Sequence, residues 1–159
     1  MPSPVGEFLV AGTDGVLWRT AFGESEQFLV ENEWVEDAEA LGYAVEQLEA
    51  YFAGELREFD IPLAMRGSEF QVAVWEALMD VPYGKTASYG DIAHALGKPG
   101  ASRAVGGANH ANHLPIIIPC HRIIGADGSM TGFGGGMENK RILLELEGIL
   151  LPSEQLDLF

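Results

Sequence analysis

A single cysteine in 159 residues, Cys120, removes two of the usual ways of holding a small domain together. A lone thiol forms no internal disulfide and no cysteine-rich metal cluster, so this chain has to fold on an apolar core. Apolar side chains make up 47% of the sequence, enough for one compact globule or two small subdomains. The sequence displays no targeting leader and no apolar run long enough to span a bilayer, so a cytoplasmic location without membrane contact is expected, in keeping with a reduced thiol. A free cysteine is more often a small buried hydrophobe than a nucleophile. Here, however, it stands in Pro119-Cys120-His121-Arg122, directly after the apolar run Ile116-Ile117-Ile118. An unperturbed thiol titrates at about 8.5, so a useful thiolate needs a base or a cation beside it, and His121 and Arg122 are candidates.

The formal net charge of -15 argues at first against a nucleic-acid partner, but the charge is unevenly distributed. Acidic residues crowd the first half. Residues 81–125 hold Lys85, Lys98, Arg103 and Arg122 against Asp91 alone, together with all four histidines. That segment is the one able to face a polyanion. With a screening length of about 8 Å at physiological salt, distant carboxylates weaken such a contact without forbidding it.

Glu7 to Ala11 and Val16 to Phe22, around Gly12-Thr13-Asp14-Gly15, read as a β-hairpin. Ala38, Leu41, Val45, Leu48 and Phe52 recur at helical spacing and predict a helix from Asp37 to Phe52, closed by Gly54. Phe59 to Leu63 reads as a further strand before a linker at 64–67. Ser68 is an N-cap for a helix with Phe70, Val74, Trp75 and Leu78 on its apolar face. Ser88 caps a second helix, Tyr89 to Leu96, and a third runs from Ala101 to about Asn109 across the turn Gly97-Lys98-Pro99-Gly100, a helix-turn-helix pattern.

The third helix carries little bulk around Arg103, since Ser102, Ala104, Gly106, Gly107 and Ala108 are all small. Interior glycines cost about 1 kcal/mol each relative to alanine, so they require either close helix packing or a helix slim enough to enter a DNA groove. Arg122-Ile123-Ile124 and Ser129-Met130-Thr131 flank a second hairpin signal, followed by the glycine-rich loop Gly132-Phe133-Gly134-Gly135-Gly136. No Gly-Lys-Ser/Thr follows, so a nucleotide phosphate loop is not expected. The last helix, Met137 to Glu147, has Ile142, Leu143 and Leu146 as its apolar residues and Gly148 as its stop. Glu147 opposes the helix dipole there, so it calls for a compensating partner.

Taken with their flanks, these strings resemble the O(6)-alkylguanine-DNA alkyltransferases, the methylated-DNA-protein-cysteine methyltransferases of bacterial type. The resemblance is carried by Phe70-Gln71-X-X-Val74-Trp75, Val81-Pro82-Tyr83-Gly84-X-Thr86-X-Ser88-Tyr89-Gly90, Arg103-Ala104-Val105-Gly106, Ile118-Pro119-Cys120-His121-Arg122, Thr131-Gly132-Phe133-X-Gly135-Gly136 and Lys140 through Leu144 to Glu147-Gly148. It implies an α/β, ribonuclease H-like N-terminal subdomain over residues 1–66 and a mainly helical, winged helix-turn-helix-like catalytic domain over 67–148, with a tail at 149–159. The implied reaction is DNA repair by stoichiometric, irreversible transfer of the alkyl group from O(6)-alkylguanine, and from O(4)-alkylthymine, to Cys120. A non-catalytic lesion sensor is the alternative from the same family, and a Cys-His hydrolase is an alternative outside it.

The resemblance makes His121 the base that activates Cys120 through a bound water, with Glu147 orienting the imidazole. It makes Tyr89 the donor to the departing guanine, Asn112 the brace of the cysteine loop, and Arg103 the finger that replaces the rotated nucleotide in the stack. Ser102, Ala104, Lys98, Tyr89 and Arg122 accompany Arg103 at the DNA, while Ile123, Met130, Phe133 and Gly134 form the base pocket. No cofactor and no metal are implied, a monomer is expected, and double-stranded DNA carrying alkylated guanine is the partner. The chain departs from the family pattern at His113, where proline is usual, at Phe133, where many relatives have tyrosine, and at Gly134, which replaces a frequent serine. The final Gln155-Leu156-Asp157-Leu158-Phe159 looks like the motif that binds the bacterial sliding clamp, with Leu158 and Phe159 to fill an apolar pocket and Gln155 at its rim. A tail folded over its own core is the other reading.

Overall fold

The computed structural model describes residues 1–23, 41–126, 133 and 135–149. The chain divides into two compact units, Met1–Ala64 and Met65–Phe159.

In the first unit, β1 (Phe8–Thr13) and β2 (Val16–Phe22) pair antiparallel across Asp14-Gly15. Both turn residues have positive φ, 52° and 82°, as a type I′ two-residue turn demands. The strands run to the turn itself, closer than the four-residue connection expected, and the register shifts between Ala11 and Gly12. Helix α1 spans Gly42–Phe52 among the described residues; the expected start at Asp37 lies outside them. Phe8, Leu17, Leu48 and Tyr51 are fully buried and make the core, with the Phe8 ring edge-on to Phe22 and Phe52.

The strand expected at Phe59 to Leu63 does not form. A single parallel bridge joins Leu63 to Leu17, because Pro62 has no N–H to extend a ladder and Gln47 takes both backbone groups of Asp60, at 2.8 and 2.9 Å.

In the second unit, α2 (Glu69–Met79) starts on a full capping box in which Ser68 and Gln71 satisfy each other's backbone N–H. Val74, Trp75 and Leu78 are buried; Phe70 is half-buried, with the Lys98 ammonium 5.3 Å from its ring centre. A second capping box, Ser88 with Asp91, opens α3 (Tyr89–Ala95), and α4 (Ser102–His110) follows across the glycine turn. The indole Nε1 of Trp75 donates to the Ala108 carbonyl at 2.8 Å, which locks α4 to α2. Val105, Ala108 and Asn109 face the core, and Arg103, Ala104 and Gly107 are exposed. A Cβ on Gly106 would make an ordinary contact with the Tyr89 ring at 3.7 Å and one on Gly107 would meet open space, so close helix packing demands glycine at neither position.

Ile123–Ile124 (β4) pairs in parallel with Ala87–Ser88 (β3); the second arm of the expected hairpin, Ser129 to Thr131, lies outside the described residues. The last helix, α5, spans Met137–Leu146. Its buried face differs from the expected one. Lys140, Leu143, Leu144 and the following Glu147 are buried, while Ile142 and Leu146 are only half-buried. The spacing i, i+3, i+4, i+7 is that of a core-facing stripe, with a charge at each end.

Ser68→Ala removes the acceptor for the Gln71 N–H and is expected to lower stability by about 1 kcal/mol. Urea unfolding checks this, with Gln71→Ala expected to cost less.

Candidate active site

The segment that delivers Cys120 is a chain of short hydrogen-bonded turns. Asn112 clasps it: its Oδ1 accepts the Leu114 N–H at 2.9 Å and its Nδ2 donates to the Ile118 carbonyl at 3.0 Å. The Ile118 N–H closes back on the Leu114 carbonyl at 2.9 Å. Inside that ring Ile116 has φ +75°, which for a β-branched residue is a true outlier with a cost on the order of 1–3 kcal/mol. Pro119, at φ -79° and ψ 62°, makes an inverse γ-turn in which the Cys120 N–H donates to Ile118 at 2.7 Å. Cys120–Arg122 is then one turn of 3-10 helix. A turn rather than a strand lets neighbouring cysteine and histidine serve one site.

All three residues of that turn are buried. His121 Nε2 lies 2.6 Å from Glu147 Oε2. Arg122 donates from Nε to Glu147 Oε1 at 2.7 Å, from Nη2 to Oε2 at 3.2 Å and from Nη1 to the Val81 carbonyl at 2.7 Å. The partner that Glu147 required is therefore double, an imidazole and a guanidinium. Burial lowers the His121 pKa, the Glu147 contact opposes this, and the Arg122 and Lys140 charges reinforce it. The ring is thus neutral near pH 7, with the proton on Nε2 and the lone pair on Nδ1, which has no hydrogen-bond partner among the described residues.

Burial also pushes the Cys120 thiol up, from 9.0 to about 11. The Asn112 side chain, the Lys140 charge and backbone N–H groups of the turn pull in the other direction. Lys140 is fully buried and donates to the Ile123 carbonyl at 2.5 Å. Burial brings its pKa down to about 8, against the pull of Cys120. Each charge favours the other, the ammonium drawing the thiol pKa down and the thiolate drawing that of the ammonium up, but burial outweighs both pulls, so the sulfur rests protonated.

The structure gathers Cys120, His121, Glu147, Asn112 and Ile123 around this turn. Arg122 is a correction: expected at the DNA face, it is 6% exposed, because its guanidinium neutralises a buried carboxylate. Tyr89 is half-buried in the first turn of α3, beside Gly106 on α4; on α4 Arg103 and Ala104 are exposed and Ser102 is half-buried, and in the preceding turn Lys98 is exposed. Phe133 is half-buried; Met130, Gly134 and the tail Gln155 to Phe159 lie outside the described residues. Sequence reasoning missed Lys140 and Asn109. Asn109 is buried, with Nδ2 3.5 Å from the Cys120 carbonyl. The seven-residue spacing from Lys140 to Glu147 was the available signal for the first.

Fold and site together define a class, a helix-turn-helix unit built around a buried thiol, imidazole and carboxylate. Family models agree: "6-O-methylguanine DNA methyltransferase, DNA binding domain" matches residues 69–149, and the ribonuclease-like domain of the same proteins matches 1–65. The chain belongs to the 6-O-methylguanine DNA methyltransferase family. It is 51% identical over 152 residues to the methylated-DNA--protein-cysteine methyltransferase of Mycobacterium tuberculosis, covering 96% of this chain and 92% of that one. It is 50% identical over 147 residues to the Methanosarcina acetivorans protein of that name, covering 92% and 94%. The crystal structure of Mycobacterium tuberculosis OGT in complex with DNA superposes with a TM-score of 0.86 at 52% identity, over 92% of this chain and 89% of that one. The O6-methylguanine DNA methyltransferase of Methanococcus jannaschii gives 0.66 at 30% identity, over 91% and 89%. The expected pairing of a ribonuclease-like α/β part with a helical DNA-binding part is borne out.

With no DNA bound, iodoacetamide labelling of Cys120 is expected to keep accelerating up to pH about 11, where an unperturbed thiol levels off at about 8.5. Labelling rates read by mass spectrometry across pH check this; a plateau at the free-thiol value would contradict the burial argument.

Proposed function

We propose that Cys120 is the alkyl acceptor of this methylated-DNA-protein-cysteine methyltransferase. The observation that carries the reading is the hydrogen-bonded chain from Glu147 to a neutral His121 beside a buried thiol. In the proposed step, the thiol proton passes through a bound water to His121 Nδ1, and the resulting imidazolium is stabilised by Glu147. The Lys140 ammonium holds the thiolate. The sulfur lone pair forms a bond to the alkyl carbon while the bond from that carbon to O6 breaks, and its electron pair passes to the purine. Tyr89 donates to the purine as negative charge develops. Guanine regains one proton, equal to the one the thiol gave up. The product is a thioether, which thiol exchange does not reverse, so each molecule reacts once.

Base flipping is the route to the site: Arg103, exposed on slim α4, takes the place of the extruded nucleotide, and Ile123, Met130, Phe133 and Gly134 are the residues assigned to the alkylated base. Ser102, Ala104 and Lys98 meet the DNA with it, and the same pocket admits O(4)-alkylthymine. The protein works as a monomer in the cytoplasm, where a free thiol stays reduced; no helix among the described residues is long and apolar enough to cross a membrane. The tail from Gln155 to Phe159 recruits the protein to the replication sliding clamp, which offsets the poor steering of an acidic chain toward DNA.

Incubation with duplex DNA containing O(6)-methylguanine is expected to add one methyl group to the tryptic peptide bearing Cys120. DNA binding without that added mass would favour a lesion sensor, and continued turnover a hydrolase. Lys140→Met removes the charge that supports the thiolate and is expected to slow transfer roughly tenfold or more at pH 7, with DNA affinity unchanged; an equal rate would exclude Lys140 from the step. Deleting Gln155 to Phe159 is expected to abolish binding to purified clamp while leaving transfer to free duplex intact; unaltered clamp binding would rule out the tether.

A further inference from the structure

We infer that Ile116 is a positioning residue for Cys120, holding the cysteine loop in a left-handed turn that it occupies against its own preference; this rests on Cys120 being the alkyl acceptor. Ile116 lies four residues before the thiol, at φ +75°. A β-branched side chain is among the least suited to that conformation, and glycine is the usual choice. Two observations explain why isoleucine stands there. Its side chain is 1% exposed, packed in a run with Leu114, Ile117 and Ile118, each at most 3% exposed, so it is anchored in the core in a way glycine cannot be. The backbone around it is closed from both ends by the Asn112 clasp and by the bond from the Ile118 N–H to Leu114.

The turn also leads directly to the nucleophile. The Ile118 carbonyl, which accepts from Asn112 at 3.0 Å, accepts from the Cys120 N–H at 2.7 Å. A change of handedness at Ile116 therefore swings the carbonyl that fixes the cysteine backbone. Burial holds the handedness, and the handedness aims the sulfur. A misplacement of about 1 Å at a reacting atom costs roughly a hundredfold in rate, so such a device acts on the chemical step while leaving the DNA-reading helix alone.

Ile116→Gly and Ile116→Ala separate the two contributions. Both lose the apolar anchor, and they differ by one carbon that is a steric penalty only when φ is positive. At an ordinary position alanine is the more stable of the two; here glycine is expected to melt about 2–4 °C higher. In single-turnover transfer at saturating methylated duplex, Ile116→Ala is expected to be roughly tenfold slower than Ile116→Gly, with equal DNA Kd. Ile116→Val, which keeps the anchor, is expected to restore the wild-type rate. Iodoacetamide labelling of Cys120 without DNA should rank the variants in the opposite order, because a loop that leaves its turn exposes a thiol that is otherwise 4% exposed, and it reads the loop even if the wild-type chain transfers no methyl group. Alanine equal to or above glycine in melting temperature overturns the inference, as do equal rates with glycine more stable. In the unaltered protein, the Ile118 amide should exchange slowly with solvent; exchange at the rate of an open loop overturns it without any variant.

Discussion

Glu147 is the point on which the second unit turns. Its carboxylate accepts from an imidazole and twice from a guanidinium, with its own side chain fully buried. The three bonds join the end of α5 to the turn of Cys120–Arg122, and the remaining guanidinium arm reaches the Val81 carbonyl just beyond α2. Tyr83 adds a bond from its hydroxyl to the Leu146 carbonyl at 3.3 Å, so the same corner also caps the helix end. Removing one partner of such a buried set costs about 3–5 kcal/mol, because the other charge is left without compensation. One carboxylate thus sets both the anchoring of the last helix and the tautomer of the histidine. This dual duty explains why a negative charge persists where the helix dipole disfavours it.

The pKa displacements in the site oppose one another, and the signs matter. Lys140, brought down from 10.5 to about 8, binds fewer protons folded than unfolded over that interval, so its contribution makes the fold more stable as pH rises through it. Cys120, pushed up from 9.0 to about 11, does the reverse: its contribution is present below 9.0 and is lost as pH climbs toward 11. The neutral, depressed His121 contributes above its free value and loses that contribution in acid. The charged site is therefore held protonated at sulfur at rest. It is poised to exchange that proton only when a reacting carbon supplies the driving force.

Much of this was legible in advance where a local rule acts alone. Ser68 and Ser88 begin helices because each hydroxyl has an N3 partner three residues on. Asp14-Gly15 forces a tight hairpin, and the small residues near Arg103 announced an unusual helix. What stayed hidden depends on pairing at a distance. Lys140 and Arg122 carry charges that any hydropathy pattern assigns to solvent, yet both are buried because the Ile123 carbonyl accepts from the ammonium and Glu147 compensates the guanidinium. The stripe of α5 was misread for the same reason, since its two outer positions are charged. Phe59 to Leu63 looks β-forming, but Gln47, twelve residues upstream of Phe59, captured the backbone that a ladder would use. No spacing rule exposes the handedness of Ile116, because isoleucine is the last residue a pattern would place there.

The depth at which the thiol lies has a consequence for survival as well as for reactivity. Cys120 is 4% exposed and protonated at rest, whereas oxidation to sulfenic acid proceeds through an accessible thiolate. A catalyst that turns over can lose a fraction of its molecules to peroxide and still clear its substrate. A protein that reacts once per molecule loses one repair for every sulfur oxidised. The buried, protonated setting of Cys120 therefore works as storage, preserving each molecule unspent until it meets its lesion.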